Sequence, residues 1–204
     1  METHQNLVGD KAQKKAIEAF EAVQIPNAKS RLNSYPHEFS GGMKQRAIIA
    51  MALCCNAKVI IADEPTTALD VTIQAQIMNI LDDIKKEFGT SVLLITHDLA
   101  LVSENTDDVA VMYSGRIVEN APNSEFFNHP VHPYSGALLN SIPSLNKSSL
   151  QTIVGQPPSI TQNITGCRFN PRCNNVTEIC TKEVPQNNEH FPSHFCACFN
   201  PNNY

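Results

Sequence analysis

Long apolar runs, an excess of basic charge and a phosphate-cradling loop are all missing from this 204-residue sequence. The longest unbroken apolar run, Ala47 to Cys55, is nine residues, against the ~20 that a membrane-spanning helix needs. The opening Met1-Glu2-Thr3-His4-Gln5-Asn6 has none of the basic-then-apolar character of an export leader. These two absences predict a chain that neither crosses a membrane nor is exported by itself. Fifteen Lys and Arg against twenty Asp and Glu give a net charge of -5, so no broad basic field exists to hold nucleic acid by counterion release. None of the eight glycines is followed by lysine, which excludes a G-x-x-x-x-G-K-S/T loop within these residues. Solenoid periods and heptads are also lacking.

What is present comes in two styles that change near residue 120. Residues 1–120 hold 11 basic and 16 acidic side chains with three prolines, whereas residues 121–204 hold four of each sign and the other ten prolines. The second stretch also carries 13 asparagines and five of the seven cysteines. So polar a segment buries little apolar surface, and cysteine ligation is its expected stabiliser.

The first stretch alternates helices and strands. Lys11 to Val23 places Ala12, Ala16, Ala19, Phe20 and Val23 on one helical stripe, ended by Pro26. Gly41 to Cys55 reads as a helix capped by Ser40. Thr72 to Phe88 puts Ile73, Ile77, Ile80, Leu81, Ile84 and Phe88 on one face, with Gly89 just past its end. Val59 to Ala62 and Ser91 to Ile95 read as strands buried on both faces of a parallel sheet. Val109 to Met112 and Arg116 to Glu119 flank Ser114-Gly115 as a hairpin. Buried strands separated by crossover-length helices predict an α/β layered fold. Cys54 and Cys55 read as core packing.

In parallel sheets ligands gather at the carboxyl ends of the strands. Asp63-Glu64 follows the first strand and Thr96-His97-Asp98 the second, which predicts a carboxylate pair and an imidazole side by side. That set suits nucleotide hydrolysis: Asp63 to hold Mg²⁺, Glu64 to polarise a water, His97 to reach a γ-phosphate. Singly, each has a plainer role, as a helix cap, a surface charge or a hydrogen-bonded strand-end histidine, so order and spacing must decide. Upstream, Ser40-Gly41-Gly42-Met43 opens a helix whose N–H groups could face phosphate oxygens, or simply caps it after a turn.

The order of the pieces decides. Tyr35 to Arg46 (YPHEFSGGMKQR), Ile60 to Thr72 (IIADEPTTALDVT) and Ile95-Thr96-His97-Asp98 together resemble the ATPase subunit of ABC transporters. Ala62 to Thr72, Val111 to Glu119 and His132-Pro133-Tyr134 resemble its oligopeptide/dipeptide importer branch. The resemblance implies that Ser40, Gly41, Gly42 and Met43 form the signature motif, with Met43 where most members carry Gln. It implies Walker B at Val59 to Asp63, Glu64 as catalytic base, a D-loop ending at Asp70, and His97 as the switch histidine. ATP and Mg²⁺ are the implied cofactors. Implied partners are transmembrane permease subunits, a second ABC ATPase and, indirectly, a solute-binding protein, but no nucleic acid. The implied location is the cytoplasmic face of a bacterial inner membrane, as a peripheral subunit.

By the same resemblance Cys167, Cys173, Cys180 and Cys198 match a four-cysteine iron–sulfur site in that branch's C-terminal extension. Cys196 competes with Cys198 for the fourth place and is the spare thiol if His194 to Cys198 is aligned on the family pattern. Zinc is the nearest alternative to a 4Fe–4S cluster, and disulfides are a third. The expected organisation is therefore a helical-subdomain remnant at 1–35, an ATPase core at 36–120 and a cysteine-bearing extension at 121–204. In the family the phosphate loop precedes all of these motifs, so the chain reads as a C-terminal portion that is inactive by itself. Two other readings stay open: a binding module lending its signature motif to a partner ATPase and carrying a metal site in its tail, and a non-transport ATPase of this type acting on nucleic acid.

Overall fold

The computed structural model describes residues 6–142, 153–159 and 161–202. Residues 1–5, most of the stretch read above for leader character, lie outside the described residues. The chain forms two compact units, Met1–Asp98 and Leu99–Tyr204.

The first unit contains α1 (Gly9–Ala22), a short α2 (Ala28–Arg31), a 3-10 turn at Pro36–Glu38, α3 (Gly41–Leu53), β1 (Val59–Asp63), α4 (Val71–Phe88) and β2 (Ser91–Ile95). Each boundary has a local cause. Ser40 caps α3 by accepting from Met43 N at 3.3 Å, and Asp70 caps α4 by accepting from Ile73 N at 3.0 Å. Gly89 ends α4 in the left-handed region, φ +62°, which a residue without Cβ reaches at no steric cost. On α1 the expected stripe faces inward, with Ala19 and Val23 buried. On α4 Ile77, Ile80, Leu81 and Ile84 are buried together with Met78, whereas Phe88, expected on that face, is exposed in the final turn. Arg46 ties three elements together: Nη1 donates to Gln24 O at 2.9 Å beyond the end of α1, and Nη2 donates to Gln76 Oε1 on α4 at 2.8 Å.

β1 and β2 pair in parallel, Val59 opposite Ser91 through Asp63 opposite Ile95. The expectation that both faces are buried is corrected here. Side chains alternate across a strand, and only the face bearing Ile60 and Ala62 is buried. On the other face Val59, Ile61, Leu93 and Ile95 are 56, 66, 52 and 45% exposed. The thiols of the 54–55 pair also depart from expectation: Cys54 is half-buried and Cys55 exposed, past the end of α3.

The second unit contains α5 (Leu99–Asn105), β3 (Asp108–Tyr113), β4 (Arg116–Pro122), α6 (Asn123–Asn128), α7 (Pro133–Asn140), a 3-10 turn at Asn170–Arg172, α8 (Glu178–Lys182), β5 (Asn188–Phe191) and β6 (His194–Cys196). Its antiparallel sheet has the order β3-β4-β6-β5, so the tail hairpin extends the hairpin read from sequence. The composition break near 120 therefore falls inside β4, and the compact units divide after Asp98 instead. The reason is packing. Val109, Val111, Tyr113 and Val118 of the hairpin share one core with Phe126 and Phe169, and the Tyr113 ring meets those of Tyr134 and Phe169 with centroids 4.7 and 5.1 Å apart.

A buried polar clamp completes that unit. Glu119 on β4 has no exposed surface. Its carboxylate accepts from Val131 N at 2.7 Å, His132 N at 2.8 Å and His194 Nε2 at 2.7 Å. One side chain thus fixes the approach to α7 and the start of β6. Cysteine ligation is accordingly not the tail's only stabiliser, because an apolar core and this clamp act on it as well.

Candidate functional site

The parallel ladder brings the charged strand ends together. Glu64 N donates to Ile95 O at 2.8 Å, extending the β1–β2 pairing by one residue. Glu64 itself lies in the left-handed region, φ +47°, a conformation costly for a side-chain-bearing residue and held here by its surroundings. Its carbonyl accepts from Thr67 N at 3.2 Å, and Ala68, at φ +64°, turns the chain toward α4. From that turn the Glu64 carboxylate reaches two partners: His97 Nδ1 at 2.8 Å and Thr67 Oγ1, which donates at 2.9 Å.

The electrostatics follow from those contacts. The hydrogen bond from His97, then that from Thr67, holds the Glu64 carboxyl below the ordinary carboxylate range. The hydrogen bond to Glu64, then its charge, raises the His97 imidazole above the ordinary histidine value. Asp63 occupies the carboxyl end of β1, exposed and opposite Ile95. A carboxylate bonded to an imidazole at an open strand end can orient a water. The expected grouping of Glu64 with His97 is therefore present. Thr67 was not singled out in the sequence, although a hydroxyl three residues after a strand-end glutamate is the available signal.

The glycine-rich turn lies against the segment leading into α4. A Cβ on Gly42 would stand 2.8 Å from Ile73 Cγ2, and one on Gly41 would stand 3.4 Å from Leu69 Cδ2. Gly42 is thus needed for close approach within the first unit at the start of α3, whereas a Cβ on Gly41 would make ordinary contact. Met43 is half-buried, and Asp70 spends its carboxylate on the α4 cap. Among the described residues, no hydrogen bond joins Ser40 to the Glu64–His97 pair. The structure thus keeps the two sets as separate features of one unit.

The tail thiols form a second cluster. No cysteine is in a disulfide. Cys167 N donates to Cys180 O at 2.8 Å. The Cys180 Sγ lies 3.3 Å from Thr177 Oγ1, and Cys198 Sγ accepts from Asn200 N at 3.3 Å. Burial pushes the Cys173 thiol up to about 11, with neighbouring Cys198, Cys167 and Cys180 adding to the rise. Burial likewise raises Cys167, beside Cys198 and Cys180. The hydrogen bond between Cys196 and Cys198 raises the first thiol and lowers the second. Among the described residues, however, no group of three or more His, Cys, Asp or Glu side chains is arranged as a ready metal site. The four thiols named from sequence are neighbours without a preformed coordination geometry.

Two family profiles match the chain: "ABC transporter" over residues 1–67 and "Oligopeptide/dipeptide transporter, C-terminal region" over residues 118–180. The oligopeptide transport ATP-binding protein OppD of Escherichia coli is 48% identical over 200 residues, 97% of this chain and 59% of that protein. The dipeptide transport ATP-binding protein DppD of Haemophilus influenzae is 45% identical over 205 residues, 100% of this chain and 62% of that one. Among solved structures, the ATP-binding cassette MJ0796 in a dimeric post-hydrolysis state bound to ADP and Pi matches with a TM-score of 0.50 at 29% identity, over 57% of this chain and 49% of the cassette. The chain spans about three fifths of the length of the curated relatives it matches.

Proposed function

This chain belongs to the ABC transporter ATP-binding family, in its oligopeptide/dipeptide branch, and from that premise we propose that it works in an ATP-hydrolysing subunit that energises peptide import. The observation that carries the reading is the 2.8 Å contact between Glu64 and His97 beside Asp63. In this proposal Asp63 holds Mg²⁺, Glu64 accepts a proton from the attacking water, and His97 orients Glu64 and faces the γ-phosphate. Ser40, Gly41, Gly42 and Met43, with Asp70, serve the nucleotide held by a second ATPase subunit, as the exposed start of α3 allows. Permease subunits at the cytoplasmic face of the inner membrane are the partners that receive the work, with a solute-binding protein upstream. Among the described residues no helix is long and apolar enough to cross a membrane. The blocks 1–35, 36–120 and 121–204 are proposed as helical, catalytic and extension segments in this scheme.

The test uses a chimera in which a phosphate-loop segment of a related cassette precedes this chain. ATP turnover in the chimera, and its loss with retained nucleotide binding in Glu64→Gln, is the expected result. Turnover within a few-fold of the parent in Glu64→Gln would remove Glu64 from the role of base. The 204 residues alone contain no G-x-x-x-x-G-K-S/T and are expected to bind ATP far more weakly than the chimera.

For the tail we propose a four-thiolate iron–sulfur site at Cys167, Cys173, Cys180 and Cys198, with zinc as the alternative metal. The mutual proximity of the thiols, and the hydrogen bond from Cys196 that favours the thiolate form of Cys198, support the ligand choice. Four irons per chain with acid-labile sulfide after anaerobic purification is the expected assay result. One zinc without sulfide would keep the ligands and replace the cluster.

A further inference from the structure

A pocket of about 260 Å³ opens in the second unit between the start of β4 and the segment before β5. Its lining includes Ile117, Val184 and Pro185 together with Arg116, Arg168 and Cys167. No acidic residue lines it. Among the described residues neither guanidinium has a hydrogen-bond or ion-pair partner, in contrast to Arg46 and Arg172, which are both committed to carbonyl oxygens. Two uncommitted guanidiniums on an apolar pocket stand out in a chain of net charge -5. Guanidinium recognises carboxylate through paired N–H donors, and desolvation by apolar walls strengthens that contact. The volume lies just below the range of drug-sized sites, which limits the occupant to a few heavy-atom branches.

We propose that this pocket binds a small carboxylate with a branched apolar body, the carboxylate on Arg116 and Arg168 and the body against Ile117, Val184 and Pro185. The site uses none of the residues placed around the nucleotide, but Cys167, proposed above as a cluster ligand, is also in its lining. Two sources carry this chemistry: a free branched-chain acid, and the carboxy-terminal residue of an apolar peptide. Both present one negative charge beside an aliphatic side chain.

The experiment follows phenylglyoxal labelling of Arg116 and Arg168 in the 204-residue chain by peptide mass spectrometry, with Arg31 in the first unit as internal reference. The probes are 4-methylpentanoate, leucyl-leucine, leucyl-leucinamide and acetate. Slower labelling of both arginines by 4-methylpentanoate or leucyl-leucine, with Arg31 unchanged and the amide inert, is the expected outcome. Protection by only one of the first two assigns the source. Arg168→Ala should weaken protection at Arg116 about tenfold, the size of a lost charge-assisted contact. Val184→Asp, at an exposed wall position, should weaken it without disturbing the fold. Equal protection by the amide, equal protection by acetate, or no protection by any probe would overturn the proposal.

Discussion

The Glu64 carboxylate and the His97 imidazole meet at 2.8 Å although 33 residues separate them in the chain. A parallel ladder ending at Asp63 and Ile95 delivers both to one edge. Thr67 holds the second carboxylate oxygen, so the glutamate is restrained from both sides while its surroundings stay open to solvent.

The first prediction concerns that pair's titration. Glu64 is lowered from 4.5 and His97 raised from 6.5. The contribution of Glu64 is present above 4.5 and lost as pH falls through its lowered value. That of His97 is complete below 6.5 and lost as pH rises through its raised value. The charged pair therefore persists across the window between. Glu64→Gln should return His97 to an ordinary titration, seen by NMR of the imidazole protons. An unchanged His97 midpoint in that variant would show that the contact is absent in solution.

The second prediction tests the close approach at the glycine turn. Gly42→Ala places a methyl against the stiff, β-branched Ile73, whose Cγ2 stands 2.8 Å from the new Cβ. Alanine's better helix propensity offsets part of the clash, leaving a net loss of about 1–2 kcal/mol. Combining it with Ile73→Ala should recover part of that loss, so that the double variant melts above the sum of the single effects.

A third expectation follows from the clamp in the second unit. Glu119→Ala strips the partner from His194 Nε2 and from two backbone N–H groups at once. Breaking such a buried set should cost about 3–5 kcal/mol. Hydrogen exchange at the Val131 and His132 amides should rise well before exchange in the β1–β2 ladder. Equal acceleration in both places would mean that the clamp is not local to its unit.

Self-association is the fourth. Val59, Ile61, Leu93 and Ile95 form an exposed apolar face on a two-stranded sheet, a template for intermolecular association. The 204-residue chain should sediment as concentration-dependent assemblies, and Ile61→Lys with Leu93→Glu should reduce them. A monomeric parent at high concentration would refute this.

Much of the first unit was legible because its signals are local. Ser40, Asp70 and Gly89 act on backbone groups within a few residues of themselves, so the ends of α3 and α4 could be read from them. The strand-end placement of Glu64 and His97 was legible from the two apolar runs that precede them. Thr67 is not legible in the sequence because its bond depends on the left-handed backbone at Glu64, which sequence does not display in a residue bearing a side chain. Phe88 lies on the apolar stripe yet is exposed, because helical periodicity does not reveal where a helix outruns its neighbours.

The second unit depended far more on contacts distant in sequence. Glu119 reads in isolation as a surface charge on a hairpin, yet residues 12, 13 and 75 positions away bury it. Strand β6 finds β4 across the whole tail, and no local propensity encodes that pairing. By itself the sequence determined the helices, the strands and the order of the motifs that resemble an ABC ATPase, because hydrogen bonding and side-chain periodicity act over short spans. Tertiary structure alone decided which face of the β1–β2 sheet is covered, where the units divide, and which polar groups are clamped in the core. Those outcomes depend on which distant surfaces exclude water together, a property of the packed chain.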